Sequence, residues 1–172
     1  MNNIVTKKRM RLSSVQILTL GFLIVILIGG ILLSLPISSV KGEFTNLLDC
    51  LFTATSAVGV NGLVVIDTGT HWSFFGQIII LLLIEIGGLG FMSFATFIVS
   101  FFGKRITLRD RLVMQESMNT FDIQGIVKMV RYVIGFTFLI EGLGAAVLSV
   151  RFIPMYGLGK GIYYSIFHSI SA

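Results

Sequence analysis

Apolar residues fall along this chain in three long runs, separated by polar or small-residue stretches. The first, residues 15–37, reads VQILTLGFLIVILIGGILLSLPI. The second, residues 72–102, is interrupted only by Gln77, Glu85 and small residues. The third, residues 132–150, reads YVIGFTFLIEGLGAAVLSV. A helix needs about 20 predominantly apolar residues to cross about 30 Å of hydrocarbon. The pattern therefore predicts three spanning helices. The second run is longer than one crossing requires, so it is expected to tilt, kink or leave the bilayer. Gly87, Gly88 and Gly90 mark where it would pack closely or bend. Ser13 or Ser14 is placed to cap the first helix, and Pro36 to end it.

Two shorter stretches follow another rule. Residues 44–58 read FTNLLDCLFTATSAV, with Phe44, Leu47, Leu48, Leu51 and Phe52 at helical spacing. Such a helix is too short to span and suits a re-entrant or interfacial position. Residues 161–172, GIYYSIFHSISA, have the same length class and the same place after a span. LLDCLFTATSA (47–57) aligns without gaps to IYYSIFHSISA (162–172), pairing Phe52 with Phe167, Ser56 with Ser171 and Ala57 with Ala172. The shared context carries more weight than these identities: a span, a short outer loop, then a half-length helix. Internal repetition of this kind characterises transport folds. VGVNGL follows the first copy and has no counterpart after Ala172, so the chain is expected to be a fragment or truncated product of a longer repeat protein.

Composition agrees with the pattern. The chain is 55% hydrophobic and 12% charged, with a mean hydropathy of +0.94. A soluble domain carries about 25% charged residues, so the composition is that of an integral membrane protein. The basic N-terminal KKRMR resembles a secretory leader, but the run after it exceeds the roughly 7–15 residues of a leader core, and no small-residue cleavage site follows. The net charge of +5 does not point to nucleic acid, because the basic residues flank spans instead of lining one face. Ten of the thirteen lie before the first span or between the second and third. Excess Lys and Arg mark the cytoplasmic side, which places the N-terminus and the 103–131 segment inside. Cys50 is the only cysteine, so an intrachain disulfide and a thiolate metal cluster are excluded, and the residue reads as packing. His71 and His168 have no partners at metal-ligand spacing.

Residues 59–62, Gly-Val-Asn-Gly, carry the most specific chemistry. Non-helical backbone at membrane depth is tolerated only where it is buried in protein or lines a water-filled cavity. Carbonyl oxygens of such a segment can replace the hydration shell of a monovalent cation. The C-terminal end of a half-helix, with its partial negative charge, favours the same ligand. Gly59 and Gly62 would supply unusual dihedrals, while Val60 and Leu63 would face away and pack the strand. The competing reading is a glycine turn that caps an interfacial helix. Spacing alone leaves both open.

LDCLFTATSAVGVNGLVVIDTGTHWSFFGQ, LIEIGGLGFMSF, LVMQESMN and the closing FHSISA together resemble the membrane subunit of Ktr/Trk-type potassium uptake systems. The resemblance runs over nearly the whole chain, with its blocks in order. It implies an all-α membrane protein built of helix–pore-loop–helix repeats as in potassium channels, here one full repeat plus the first helix and pore helix of a second. The implied division is a cytoplasmic N-terminus (1–12), a first repeat (13–102) with pore helix 44–58 and filter 59–62, a cytoplasmic loop (103–130), and the start of a second repeat (131–172). It makes Gly62 the filter glycine, with Gly59, Val60 and Asn61 supplying neighbouring carbonyls. Asn61 and Gly59 depart from the family pattern, where threonine or cysteine is usual. Also implied are a cell-membrane location, potassium as the transported ion, sodium as a candidate coupling ion, no covalently bound cofactor, a homodimer, and a cytoplasmic ring of nucleotide-binding regulatory subunits docked near 103–128.

Other residues have two readings each. Glu85 and Glu141 are intramembrane acids, either attracting cations or coupling protons, or hydrogen-bonded structural groups. Asp67 either concentrates cations at the pore mouth or caps a turn in Asp-Thr-Gly. The Gly87–Gly88–Gly90 cluster reads more readily as close helix packing than as a gate hinge. Two rivals to potassium uptake follow: a non-transporting scaffold or truncated pseudo-subunit, and a proton-coupled carrier using Glu85 and Glu141. An enzyme is not expected, since no Ser/His/Asp or metal constellation is present.

Overall fold

A computed structural model describes residues 13–90, 112, 113, 115 and 125–172. The N-terminal basic cluster, the end of the second apolar run and most of the 103–130 segment lie outside the described residues. The described residues form helices and turns with no strand, apart from one isolated antiparallel bridge between Ser39 and Trp72.

The first helix, α1 (Ser14–Ser34), begins at a reciprocal cap. The Ser13 hydroxyl accepts from the Gln16 N–H at 3.3 Å, and Gln16 Oε1 accepts from the Ser13 N–H at 3.0 Å. This satisfies two of the donors that every helix start leaves open. Pro36 stops the helix and opens a short 3₁₀ turn, Pro36–Ser38, a few residues before the apolar run ends. Ser38 is fully buried and donates to the Leu32 carbonyl at 2.6 Å.

The half-length helix α2 (Leu47–Val58) starts three residues later than residue 44. Asn46 is the reason: its Oδ1 accepts from the Leu48 N–H at 3.0 Å, which leaves Phe44 outside the helix and exposed. Its 12 residues reach about 18 Å at 1.5 Å per residue, well short of the hydrocarbon thickness. The third helix, α3 (Phe74–Leu89), is capped by Ser73, whose hydroxyl accepts from the Gly76 N–H at 3.3 Å. It ends where Gly90 takes φ 78°, so the long second run is interrupted there as a helix.

The fourth helix, α4 (Ile126–Tyr156), is longer at both ends than the third apolar run and includes Pro154 in its last turn. The segment expected to be loop up to residue 130 is therefore helical from Ile126. Lys128 explains why the pattern concealed this: its ammonium sits 5.8 Å from the Tyr132 ring centroid, a cation–aromatic contact that suits the edge of an apolar helix. The fifth helix, α5 (Leu158–Ser171), follows with Gly157 as the sole joint. The outer loop expected in the second copy is absent here, because Gly157 reverses the chain by itself at φ 80°.

Helix association in lipid depends on close packing more than on hydrophobic expulsion, and the sequence provides for it. A side chain at Gly30 would meet Leu51 Cδ2 at 2.6 Å, so its bare backbone seats α2 on α1. At Gly87 the approach is tighter still: a Cβ would lie 2.1 Å from the Val58 carbonyl oxygen. Leu33, Cys50, Ala54, Ala57, Val58, Trp72, Ile79, Ile80 and Leu83 close the core between α1, α2 and α3. A second cluster, Val113, Val130 and Ile134, packs on Ile17 and Leu18 of α1 and Leu89 of α3. Outward faces remain apolar, including Leu23, Ile24 and Ile28 on α1 and Phe136, Leu143 and Val147 on α4. Helices α1 and α4 contain stretches long and apolar enough to cross a membrane, Val15–Ser34 and Val127–Tyr156.

Candidate functional site

The segment after α2 is tied to the helix it leaves. Three amides fold back onto the last turn: Gly59 N–H to Thr55 O at 2.8 Å, Val60 N–H to Ala57 O at 3.2 Å, and Asn61 N–H to Ser56 O at 3.0 Å. The buried Ser56 hydroxyl then donates to the Leu63 carbonyl at 2.8 Å, fastening the far end of the segment. Between these ties, the carbonyls of residues 59–62 accept no hydrogen bond among the described residues.

The dihedrals differ from expectation in an instructive way. Gly59 sits at φ −78°, ψ −4°, an ordinary right-handed conformation. It must be small for another reason: a Cβ there would lie 2.8 Å from Asn61 Nδ2 and 3.0 Å from the Thr55 carbonyl. The left-handed residues are Val60, at φ 52°, and Gly62, at φ 68°. For a β-branched residue this conformation costs about 1–3 kcal/mol and is held only when its surroundings enforce it. The three backbone ties on either side of Val60 supply that enforcement. Val60 and Leu63 were expected to pack away from the strand; both are instead exposed, at 58% and 60%.

Residues 60–62 border a cavity of about 330 Å³. Ser56 and Ile84 line it from the first repeat, and Phe167 and Ser171 from α5. The structure thus brings residues 60–62 and the end of α5 to one space.

The remaining candidates lie elsewhere. Asp67 does not border the cavity. Its Oδ2 accepts from the Thr70 N–H at 3.0 Å and from the Thr70 hydroxyl, so it closes the Asp-Thr-Gly turn. The Thr70 side chain, more than any other contact, holds its carboxyl below the usual carboxylate range. Glu85 and Glu141 lie near enough to each other across α3 and α4 to interact electrostatically. Glu85 Oε1 is buried without a partner among the described residues. Gly87 is a packing position and Gly88 has nothing within 4 Å of its missing Cβ. Cys50 is fully buried in the core. His71 hydrogen-bonds Thr45 at 2.9 Å, and His168 lies against Phe152 at 5.5 Å. No cluster of metal-ligating side chains occurs among the described residues. Ser56, Gln77 and Tyr163 were not singled out from sequence. Ser56 carried a signal, being one of three identities between the two repeat copies.

The described residues define a class: an all-helical fold in which two helices are long and apolar enough to cross a membrane and shorter apolar helices pack beside them. Residues 7–172 match the family model described as cation transport protein, and the chain belongs to that family. It is 46% identical to the potassium/sodium uptake protein NtpJ of Enterococcus hirae over 170 residues, 98% of this chain and 38% of that protein. It is likewise 46% identical to the Ktr system potassium uptake protein B of Bacillus subtilis over 165 residues, 96% of this chain and 37% of that protein. The Ktr system potassium uptake protein B of Vibrio alginolyticus is 39% identical over 157 residues, 91% of this chain and 34% of that protein. The chain thus spans little more than a third of the length of these relatives.

Proposed function

We propose that this chain contributes one quarter of a potassium-selective uptake path across the cytoplasmic membrane, with Gly59, Val60, Asn61 and Gly62 as a filter segment. The observation that carries this reading is the run of carbonyls at 59–62 that accept no hydrogen bond among the described residues, held at both ends, with residues 60–62 bordering a cavity. Unpaired carbonyls at membrane depth are costly unless a ligand or water satisfies them. A partly dehydrated monovalent cation does so, and transport then proceeds by hopping between sites with no bond made or broken. The C-terminal end of α2 adds partial negative charge beside the same space.

Potassium follows from the relatives' names, and sodium as a coupling or second ion from the name of NtpJ. The whole protein would assemble from further repeats, as a homodimer with cytoplasmic regulatory subunits and its N-terminus inside. Glu85 and Glu141 lie off the cavity, and we assign them to the contact between α3 and α4 instead of to proton coupling. If uptake by the Glu85→Gln and Glu141→Gln forms lost its pH dependence, the carrier reading would return.

The main test is rescue of a cell deficient in potassium uptake by the uninterrupted reading frame that encodes this chain. Gly62→Asp should abolish rescue or change ion preference. A Cβ there meets nothing within 4 Å, and φ 68° adds the strain of a left-handed aspartate, which the Gly62→Ala form controls for. Unchanged rescue and preference would sink the filter assignment.

A further inference from the structure

Gln77 is the one amide in the apolar length of α3, and all its hydrogen-bonding groups facing protein are engaged. Its Nε2 donates to the Thr68 carbonyl at 3.2 Å and to the Trp72 carbonyl at 3.0 Å. Its Oε1 accepts from the Tyr163 hydroxyl at 2.6 Å. These three bonds join three different parts of the molecule: the segment descending from residues 59–62, the start of α3, and the second half-helix α5. Tyr163 is set by its ring as well, 5.1 Å from Phe74 and 6.2 Å from Phe167. Phe167 and Thr68 both border the cavity beside residues 60–62.

We propose that the Tyr163–Gln77–Thr68 chain of hydrogen bonds is a strut that sets the separation between the 59–62 segment and the second half-helix α5, making Gln77 and Tyr163 positioning residues for ion preference. The proposal rests on the filter reading above. Its physical basis is the directionality of the bonds. Among the described residues the phenol is the donor reaching Oε1, and both partners of Nε2 are backbone carbonyls, so the amide has one orientation in which every bond is satisfied. Thr68 lies five positions after Leu63, whose carbonyl Ser56 holds from inside the first repeat. The filter segment is therefore anchored to its own half-helix at one end and, through Gln77, to the next half-helix beyond the other. Selectivity among monovalent cations depends on the spacing or field of the coordinating carbonyls, and a tie between neighbouring segments acts on either.

The test uses the complete membrane protein in cells deficient in potassium uptake, with membrane abundance measured alongside potassium uptake and its competition by sodium. Tyr163→Phe keeps the ring contacts and removes one hydroxyl. Gln77→Glu keeps the shape and the acceptor but turns both carbonyl contacts repulsive. A hydrogen bond of this kind is worth about 0.5–1.5 kcal/mol, or roughly a two- to tenfold change. Both variants should lower potassium preference over sodium by roughly that factor at unchanged abundance, Gln77→Glu more than Tyr163→Phe. Combining Tyr163→Phe with Gln77→Leu should cost no more than Gln77→Leu alone, because one chain of bonds is broken once. Preference equal to wild type in both single variants overturns the strut, as does reduced abundance with unchanged preference, which is the mark of a merely structural contact. Gly62→Asp separates the two readings. If it changes preference while Gln77 and Tyr163 variants do not, the strut alone fails; if it changes nothing, the filter reading beneath it fails.

Discussion

The two half-helices α2 and α5 share a sequence pattern and differ in how they are held. Helix α2 is wedged between α1 and α3, with Cys50 and Ala54 fully buried and bare glycine backbone on both neighbours. Helix α5 leans mainly on α4 and on the start of α3. It too is seated by glycine, since a Cβ at Gly161 would lie 2.6 Å from Ile153 Cα, and it adds ring contacts, Tyr156 to Tyr164 at 5.1 Å and Phe152 to His168 at 5.5 Å, and the Ser169 hydroxyl on the Glu141 carbonyl at 2.6 Å. The contrast teaches that a half-helix takes its rigidity from the two spans that flank it. Helix α2 is locked by small residues on two sides; α5 has a glycine seat on α4 alone, and rings and single hydrogen bonds orient the rest of it.

The sharpest way to break the comparison is at Gly87. Leucine there would drive a side chain into the Val58 carbonyl, which is backbone and cannot rotate aside. Overpacking of this kind costs about 1–3 kcal/mol or more, so Gly87→Leu should reduce membrane-integrated protein and potassium uptake by at least about tenfold. Gly88→Ala, one residue on, should leave both near wild type; equal damage at the two positions would refute the seat. Next in size is Gly62→Ala, which meets no atom within 4 Å but must hold φ 68°. A left-handed alanine costs about 1–2 kcal/mol, so uptake should fall roughly tenfold while abundance holds.

Ser56 comes next. Ser56→Ala removes the tie on the Leu63 carbonyl, at about 0.5–1.5 kcal/mol for one hydrogen bond, and should slow uptake several-fold; uptake equal to wild type would show that this tie does not hold the segment. The smallest effect belongs to Asp67. Its carboxyl titrates below the reference value of 3.8. A depressed acid contributes its stability above the unfolded value and loses it as pH falls through the folded one, so the window lies below about pH 4. Uptake measured across neutral pH should therefore show no inflection that Asp67→Asn removes.

Much of this contrast was legible in the chain. Length separated α1 and α4 from the half-length α2 and α5, whereas the second apolar run is described as helix only over Phe74–Leu89; Ser13 and Pro36 marked α1 because caps and breakers act locally. The internal alignment paired Ser56 with Ser171 before their surroundings were known. Asn46 was missed as a cap because the apolar periodicity begins upstream at Phe44, and periodicity reports a face, not a boundary. The early start of α4 was hidden by Lys128 and Arg131, whose charges interrupt an apolar run without interrupting a helix. Glu85 meeting Glu141, and Tyr163 reaching Gln77, depend on how α3, α4 and α5 lie in space. No local rule connects positions that far apart. Unusual dihedrals were anticipated at Gly59 and Gly62; Gly62 has one, at φ 68°, but the other falls on Val60 instead of Gly59. Glycine advertises freedom, whereas Gly59 is needed for room and Val60 is the residue that is bent.

Gly157 has a consequence in contour length. With one residue between Tyr156 and Leu158, the two Cα atoms that end α4 and begin α5 can be no more than about 7.6 Å apart, two virtual bonds of 3.8 Å. The Gly157 N–H is fixed to the Ile153 carbonyl at 2.9 Å and its own carbonyl to the Gly161 N–H at 2.8 Å, so neither bond has slack to release. Helix α5 can therefore swing about that corner but cannot slide away from it. Any axial displacement of α4 reaches α5 undiminished, like a crank fixed to its shaft.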